Sequence, residues 1–386
     1  MPPLLDNEQR KLYPGFTSIG NHADSEEYFL NMGPQHPSTH GALRIHIRLD
    51  GETVKEIVPH MGYIHRGIEK QAESESYLQF IHLTDRMDYL TSHMNNHAVC
   101  LAIEKAMDIG VPERGEYIRV IVSELQRISS HLIFMGAFGT DVGGTTSFLY
   151  AFREREYITQ IFDELCGARL TMNYFRPGGS YVDVTENFIP MVKNVIERLK
   201  KFLEEWDRFL TGNIIFLERV KNVGILKPDR AIALGCTGPV LRGSGISYDL
   251  RRDEPYSIYD RFNFEIPVGT TGDSWDRYII RIREVEQSMS IIEQALQQFP
   301  TGDYRSKEKP GYRLPEGSYY AAVESAKGLW AVYIEAVKGD KPWRIKVRSP
   351  SFSNLAALDE MCRDQKLADI VTILGTIDPV IPDIDR

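Results

Sequence analysis

Three stretches carry an apolar residue at every third or fourth position over several helical turns. They are Ile118, Ile121, Leu125, Ile128 and Leu132; Val192, Val195, Leu199, Phe202 and Trp206; and Ile279, Ile282, Val285, Met289, Ile292 and Leu296. At that interval side chains stack on one face of an α-helix, so each stretch predicts a helix whose stripe needs a partner. On the first, Arg119, Glu124 and Arg127 fall on the other side and read as its polar face. Gly212 offers the second a C-terminal cap. With further helices expected over 82–107 and 146–168, the middle of the chain reads as a bundle of long helices. Such stripes are core, and no chemistry is assigned to them.

The period changes towards both ends. Leu43, Ile45, Ile47 and Leu49 alternate with Arg44, His46, Arg48 and Asp50, the pattern of a half-buried strand. Asp50-Gly51 supplies a tight turn, and a return strand is expected over Val54–Val58. Near the other end Val332 and Ile334, then Trp343, Ile345 and Val347, predict a small antiparallel sheet over 318–348, followed by a short helix at 354–375. The fold class is therefore α+β and mainly helical, with an N-terminal β-hairpin region, a central bundle and a small C-terminal sheet. The expected divisions are an extended arm over 1–26, a β region with a histidine loop over 27–62, and the bundle over 63–212. An irregular insertion of short strands and loops over 213–272, rich in Gly, Pro and Asp, precedes a further bundle helix over 273–299. A Pro/Gly linker over 300–317 then leads to a C-terminal α+β region over 318–386 that packs on the bundle.

Composition narrows the function. The 386 residues are 42% hydrophobic and 26% charged, an ordinary globular balance. A net charge of −9 excludes a general nucleic-acid binder, which needs a basic face. Apolar runs such as Leu132–Phe138 are too short to span a bilayer, and no basic-then-apolar segment opens the chain, so a cytoplasmic location is expected. Cys100, Cys166, Cys236 and Cys362 lie far apart with no CxxC pair, so this chain is expected to bind no metal or cluster of its own. All ten histidines lie between His22 and His131, which places proton chemistry in the first third.

Several short segments there carry ionisable groups. Gly33–Gly41 surrounds His36 and His40 with two prolines, a stiff loop without phosphate-loop spacing. His65-Arg66-Gly67-Ile68-Glu69-Lys70 reads equally as a solvated turn. Asp85-Arg86-Met87-Asp88-Tyr89 interrupts an otherwise apolar helix face, and Tyr89 offers a hydroxyl donor. His93 and His97 have zinc spacing, but Met94 stands where a glutamate would be needed. Asp141 ends the helix that carries His131, before Gly143 and Gly144.

In order, GPQHPSTHG, HRGIEK, RMDYL, NYFRPGG (Asn173–Gly179), LRGSGISYDLR (Leu241–Arg251) and the terminal Asp378–Arg386 segment resemble the 49-kilodalton (D-type) subunit family of respiratory complex I, over about Tyr28 to Arg386. That family is similar in fold to the large subunit of nickel–iron hydrogenases, whose paired CxxC motifs hold metal. The early pair would fall around Arg86–Tyr89 and the late pair on Val380 and Asp383, all without thiolates, so nickel chemistry is not expected. The resemblance implies a quinone-headgroup pocket instead. It implies that Tyr89 and His40 donate to the two quinone oxygens, that Asp141 orients the imidazole and favours its charged form, and that Arg66 faces a four-iron cluster in the adjoining polypeptide. The implied partners are the B-, C- and I-type subunits and the H-type membrane subunit, on the cytoplasmic face of a bacterial inner membrane. Membrane association would come through those partners. The implied activity is that of a proton-translocating NADH–quinone oxidoreductase, with none for the chain alone.

Thr171 stands where much of the family has a histidine near the cluster, which is consistent with a low-potential quinone such as menaquinone. The 300–317 linker is short for the family, and Pro382 replaces a common glycine. A ferredoxin- or other-donor-fed relative, or a scaffold role, is the alternative. The retention of His40, Tyr89 and Asp141 opposes an inert scaffold.

Overall fold

The computed structural model describes residues 27–307 and 311–386; the arm expected over 1–26 lies outside the described residues. The chain is α+β and mainly helical, with small antiparallel sheets. Labelling the helices of eight or more residues, α1 is Tyr77–Thr84, α2 Ser92–Met107, α3 Glu113–Asp141, α4 Ser147–Cys166, α5 Phe188–Trp206, α6 Ser274–Gln297 and α7 Asp369–Ile377. All three apolar stripes form helices. The longest, α3, spans 29 residues and packs against α4, α6 and α7. Enclosure on so many sides overturns the reading of its polar face. Arg119, Glu124 and Arg127 are fully buried, because neighbouring segments bring counter-charges to them.

The single helix expected over 82–107 is broken at Asp85–Thr91. The break is stabilised from the following helix. Asn95 donates to the carbonyls of Thr84 and Asp88, and Asn96 to the carbonyl of Ile81 and the carboxylate of Asp85. Buried backbone groups released by a helix break need such partners. The short strands expected over 213–272 are absent among the described residues. Short helical turns form instead at Ile214–Val220, Pro228–Ala233, Pro239–Gly243 and Leu250–Asp253. The Asn213 side chain caps the first of these, and prolines open the next two, where a missing N–H costs nothing. The helix expected at 354–375 is likewise three, Pro350–Leu355, Leu358–Cys362 and α7. Asp364, at a left-handed φ of 61°, turns the chain between the last two.

Strands β1 (Glu27–Met32), β2 (Arg44–Asp50) and β3 (Thr53–His60) form one antiparallel sheet, with Gly51 at φ 58° in the β2–β3 turn. Strands β4 (Gly317–Ser325), β5 (Gly328–Ala336) and β6 (Pro342–Arg348) form a second antiparallel meander, and α2 packs on it. Two apolar cores result. The larger joins α1–α6 to the second sheet, and the smaller joins the first sheet to α7 and the chain end, through Ile45, Ile47, Ile373, Ile377 and Ile381. The smaller core determines the site, because it draws the histidine loop onto the C-terminus.

Candidate functional site

The loop before β2 is a short 3-10 turn, Pro37–Thr39, held by its own side chains. His36 Nδ1 accepts from the Ser38 N–H at 3.2 Å, and the buried Thr39 hydroxyl donates to the carbonyls of His36 and Gly41. His36 is thus occupied as a cap. His40 follows in the left-handed region, φ 55°, and a Cβ on Gly41 would strike Ile381. The turn and the contact with the chain end direct the imidazole away from the loop.

His40 Nε2 lies 3.0 Å from Asp141 Oδ2. Both side chains are mostly buried but reach solvent, at 17% and 15% exposure. Asp141 is the last residue of α3, where the helix presents its partially negative carbonyl end. A carboxylate there is disfavoured by the macrodipole, and the facing His40 ring is its nearest side-chain partner. Gly375 of α7 makes room for the pair. A Cβ at that position would approach Phe138 Cδ2 to 2.8 Å and Asp141 Oδ2 to 3.3 Å. Alanine favours a helix interior over glycine by about 1 kcal/mol, yet overpacking costs about 1–3 kcal/mol. Gly375→Ala is therefore expected to lower the thermal stability of the assembled protein, read by calorimetry. An unchanged or raised melting temperature would contradict the close fit of α7 on Asp141.

Tyr89 sits in the α1–α2 break, half-buried. Burial, then the charges of Asp88 and Asp378, push its hydroxyl up from the ordinary tyrosine range, so it stays protonated and able to donate. Asp378 caps the C-terminal end of α7, the helix whose Gly375 adjoins Asp141. The same helix end thus adjoins Asp141 and carries the charge that acts on Tyr89.

Arg66 is exposed at the surface, and its guanidinium donates at 2.5 Å to the carbonyl of Arg86, in the break that also holds Tyr89. Burial, and after it the adjacent Arg86 charge, lower its pKa. Arg86 and Arg176 also act on Asp85, which burial pushes up to about 7. A separate cleft of about 390 Å³ opens beside Arg66, between His65, Glu69, Lys346 and Arg386, and neither His40 nor Tyr89 lines it. His93 and His97 are fully buried, and His93 is bonded to Gln126. Among the described residues no group of three or more His, Cys, Asp or Glu side chains is disposed to hold a metal ion, and no helix is long and apolar enough to cross a membrane.

Sequence reasoning missed Lys327. It lies in the tight β4–β5 turn, 1% exposed, with its ammonium on Ser130 Oγ at 3.0 Å and in contact with Asp378 Oδ2. A lone lysine between two apolar strands was the available signal.

The family model described as "Respiratory-chain NADH dehydrogenase, 49 Kd subunit" matches residues 141–312 and 306–386. The D-type subunit of the NADH-quinone oxidoreductase of Desulforamulus reducens is 49% identical over 361 residues, 94% of this chain and 99% of the relative. The D-type subunit from Bacillus mycoides is 48% identical over the same shares. The C/D-type subunit from Bacteroides fragilis is 49% identical over 94% of this chain and 68% of the longer relative.

Proposed function

Because the chain belongs to the family of the 49 kDa subunit of the respiratory-chain NADH dehydrogenase, we propose that it is the quinone-site subunit of a proton-translocating NADH–quinone oxidoreductase. The observation that carries this reading is the 3.0 Å pairing of His40 with Asp141 beside the C-terminal end of α7, whose capping Asp378 acts on the Tyr89 hydroxyl. A quinone that takes up two electrons gathers negative charge on two oxygens across its ring. Two donors near one helix end answer that demand, with the Tyr89 hydroxyl on one oxygen and the His40 imidazolium on the other, oriented by Asp141.

The electrons come from a four-iron cluster in a neighbouring B-type subunit. The crowded Arg66–Arg86 pair supports this placement, because two adjacent exposed cations favour an anionic neighbour such as a reduced cluster. The C/D naming of the Bacteroides relative supports a C-type neighbour, with I-type and membrane H-type subunits completing the attachment to the cytoplasmic face of the membrane. Thr171, half-buried where an imidazole could have titrated with the cluster, fits a low-potential quinone such as menaquinone.

The test is Tyr89→Phe in the assembled complex. Loss of one hydrogen bond to a charged acceptor is worth about 1.5–3 kcal/mol, so quinone reduction should fall by roughly tenfold to a hundredfold. NADH oxidation by an artificial acceptor should stay intact. Equal loss of both activities would mean failed assembly, and full quinone activity would remove Tyr89 from the site.

A further inference from the structure

Behind Tyr89 lies a cluster of buried charges that the donor pair does not use. It contains three carboxyls, those of Asp88, Asp378 and Asp383, which are 0%, 8% and 0% exposed. The cations are two, Lys327 and Arg281, at 1% and 0%. Lys327 is in contact with Asp378, and Arg281 Nε lies 3.9 Å from the same carboxylate. Both cations are therefore committed to Asp378. Asp383 holds only neutral donors, the Trp330 indole at 3.2 Å and the Ser349 hydroxyl. Asp88 accepts the Leu90 N–H at 3.0 Å on Oδ1, while its Oδ2 is buried with no hydrogen-bond partner among the described residues.

With Arg386 at the rim paired to Glu69 at 3.3 Å, three carboxylates against two cations leave one negative charge uncompensated in a dry interior, where unpaired charge is costly. One bound proton restores neutrality. The groups able to hold it are the two without a direct cation. Burial raises the Asp88 carboxyl from its ordinary value, with Lys327 opposing first and the Thr91 and Leu90 hydrogen bonds after it. Burial, then the Asp88 charge, pushes Asp383 up to about 7, with Arg386 opposing from the rim. Two carboxyls that repel one another in this way bind one proton between them.

We propose that Asp88 and Asp383 share one buried proton, and that Asp88 passes it to Tyr89 once Tyr89 has protonated a bound quinone. The inference rests on the quinone reading above. Two electrons enter the quinone singly from the partner's iron–sulfur cluster. The Tyr89 O–H bond breaks as an O–H bond forms on one quinone oxygen, and His40 protonates the other, giving the hydroquinone. The remaining phenolate then takes the proton held by Asp88 and Asp383, which is downhill from a carboxylic acid to a buried phenolate. Both carboxylates are left ionised until a proton returns from solvent. Asp88 acts through Tyr89 and does not touch the substrate.

The assembled complex tests this by infrared spectroscopy of protonated carboxyl groups, compared across the wild type, Asp88→Asn and Asp383→Asn. Either substitution leaves two carboxylates and two cations, so each variant alone should abolish the same single carboxylic-acid band. Separate bands lost one per variant, or no band lost, would overturn the shared proton. In turnover, Asp88→Asn should slow quinone reduction on the order of 10²-fold at unchanged KM. Its rate should also fall about tenfold per pH unit on the alkaline side, since protons must then come from solvent. Wild-type turnover with a wild-type pH profile would overturn the transfer to Tyr89. If Asp88→Asn fails to assemble, Asp383→Asn carries both readouts. The infrared result needs no quinone, so failure of this inference is separable from failure of the quinone reading, which Tyr89→Phe tests.

Discussion

Replacing His40 with alanine in the assembled complex is expected to lower quinone reduction by about 10²–10⁴-fold, the range for loss of a positioned proton donor. Artificial-acceptor oxidation of NADH should persist. The substitution removes the imidazole and also leaves the Asp141 carboxylate at the negative end of α3, 15% exposed and without its ring partner. Alanine has a further defect, because His40 occupies a left-handed backbone conformation at φ 55°, which histidine adopts several-fold more readily than most residues. Asparagine tolerates that conformation several-fold better than most residues, so His40→Asn isolates the chemistry from the backbone. Equal losses in the alanine and asparagine variants support the imidazole as donor. An active asparagine variant beside an inactive alanine variant would reduce His40 to a turn residue. Asp141→Asn should be milder than either, because the ring and its backbone remain while its orientation is relaxed and the carboxylate charge beside it is lost.

The chemistry-bearing residues of this pair were legible in the chain because each belongs to a short, composition-marked segment. The prolines and glycines around His40 specify a stiff turn, and the glycines after Asp141 specify a helix end. Their meeting was not legible from spacing, because it depends on Gly41 packing on Ile381 and Gly375 clearing Asp141, contacts between residues hundreds of positions apart. The same reason hid Lys327, whose partner Asp378 comes from another element. Local periodicity runs straight through the α1–α2 break, because it cannot register that Asn95 and Asn96 bond to carbonyls of the preceding turn. The reading of the α3 polar face failed differently. Amphipathic pattern predicts a solvated face only when one side of a helix is covered, and α3 is covered on several. Charges in such a helix must find charges elsewhere, and the local pattern gives no hint which.

That burial makes Arg242→Met the substitution with the largest expected effect on stability. Arg242 is fully buried and bonds Glu284 at 2.7 Å, Glu324 at 2.8 Å and the Tyr248 carbonyl at 2.9 Å. Glu284 also meets His131 Nε2 at 2.9 Å, which ties α3 to α6. Burial alone would raise the Glu284 pKa, but Arg242 and then His131 outweigh it and hold the carboxyl well below the ordinary range. His131 is pushed down to about 4, chiefly by burial, and so cannot replace the lost cation near neutral pH. Methionine matches much of the arginine volume and leaves two acids buried without compensation. Breaking a buried pair on one side costs about 3–5 kcal/mol, a large share of a typical folding free energy of about 5–15 kcal/mol. The expected result is a sharp fall in assembled complex and in the melting temperature of what remains. Adding Glu284→Gln and Glu324→Gln to Arg242→Met removes the stranded charges and should recover most of the loss, since replacing a whole buried pair is often near neutral. A triple variant as unstable as Arg242→Met alone would mean that arginine packing, rather than charge compensation, holds α3, α6 and the second sheet together.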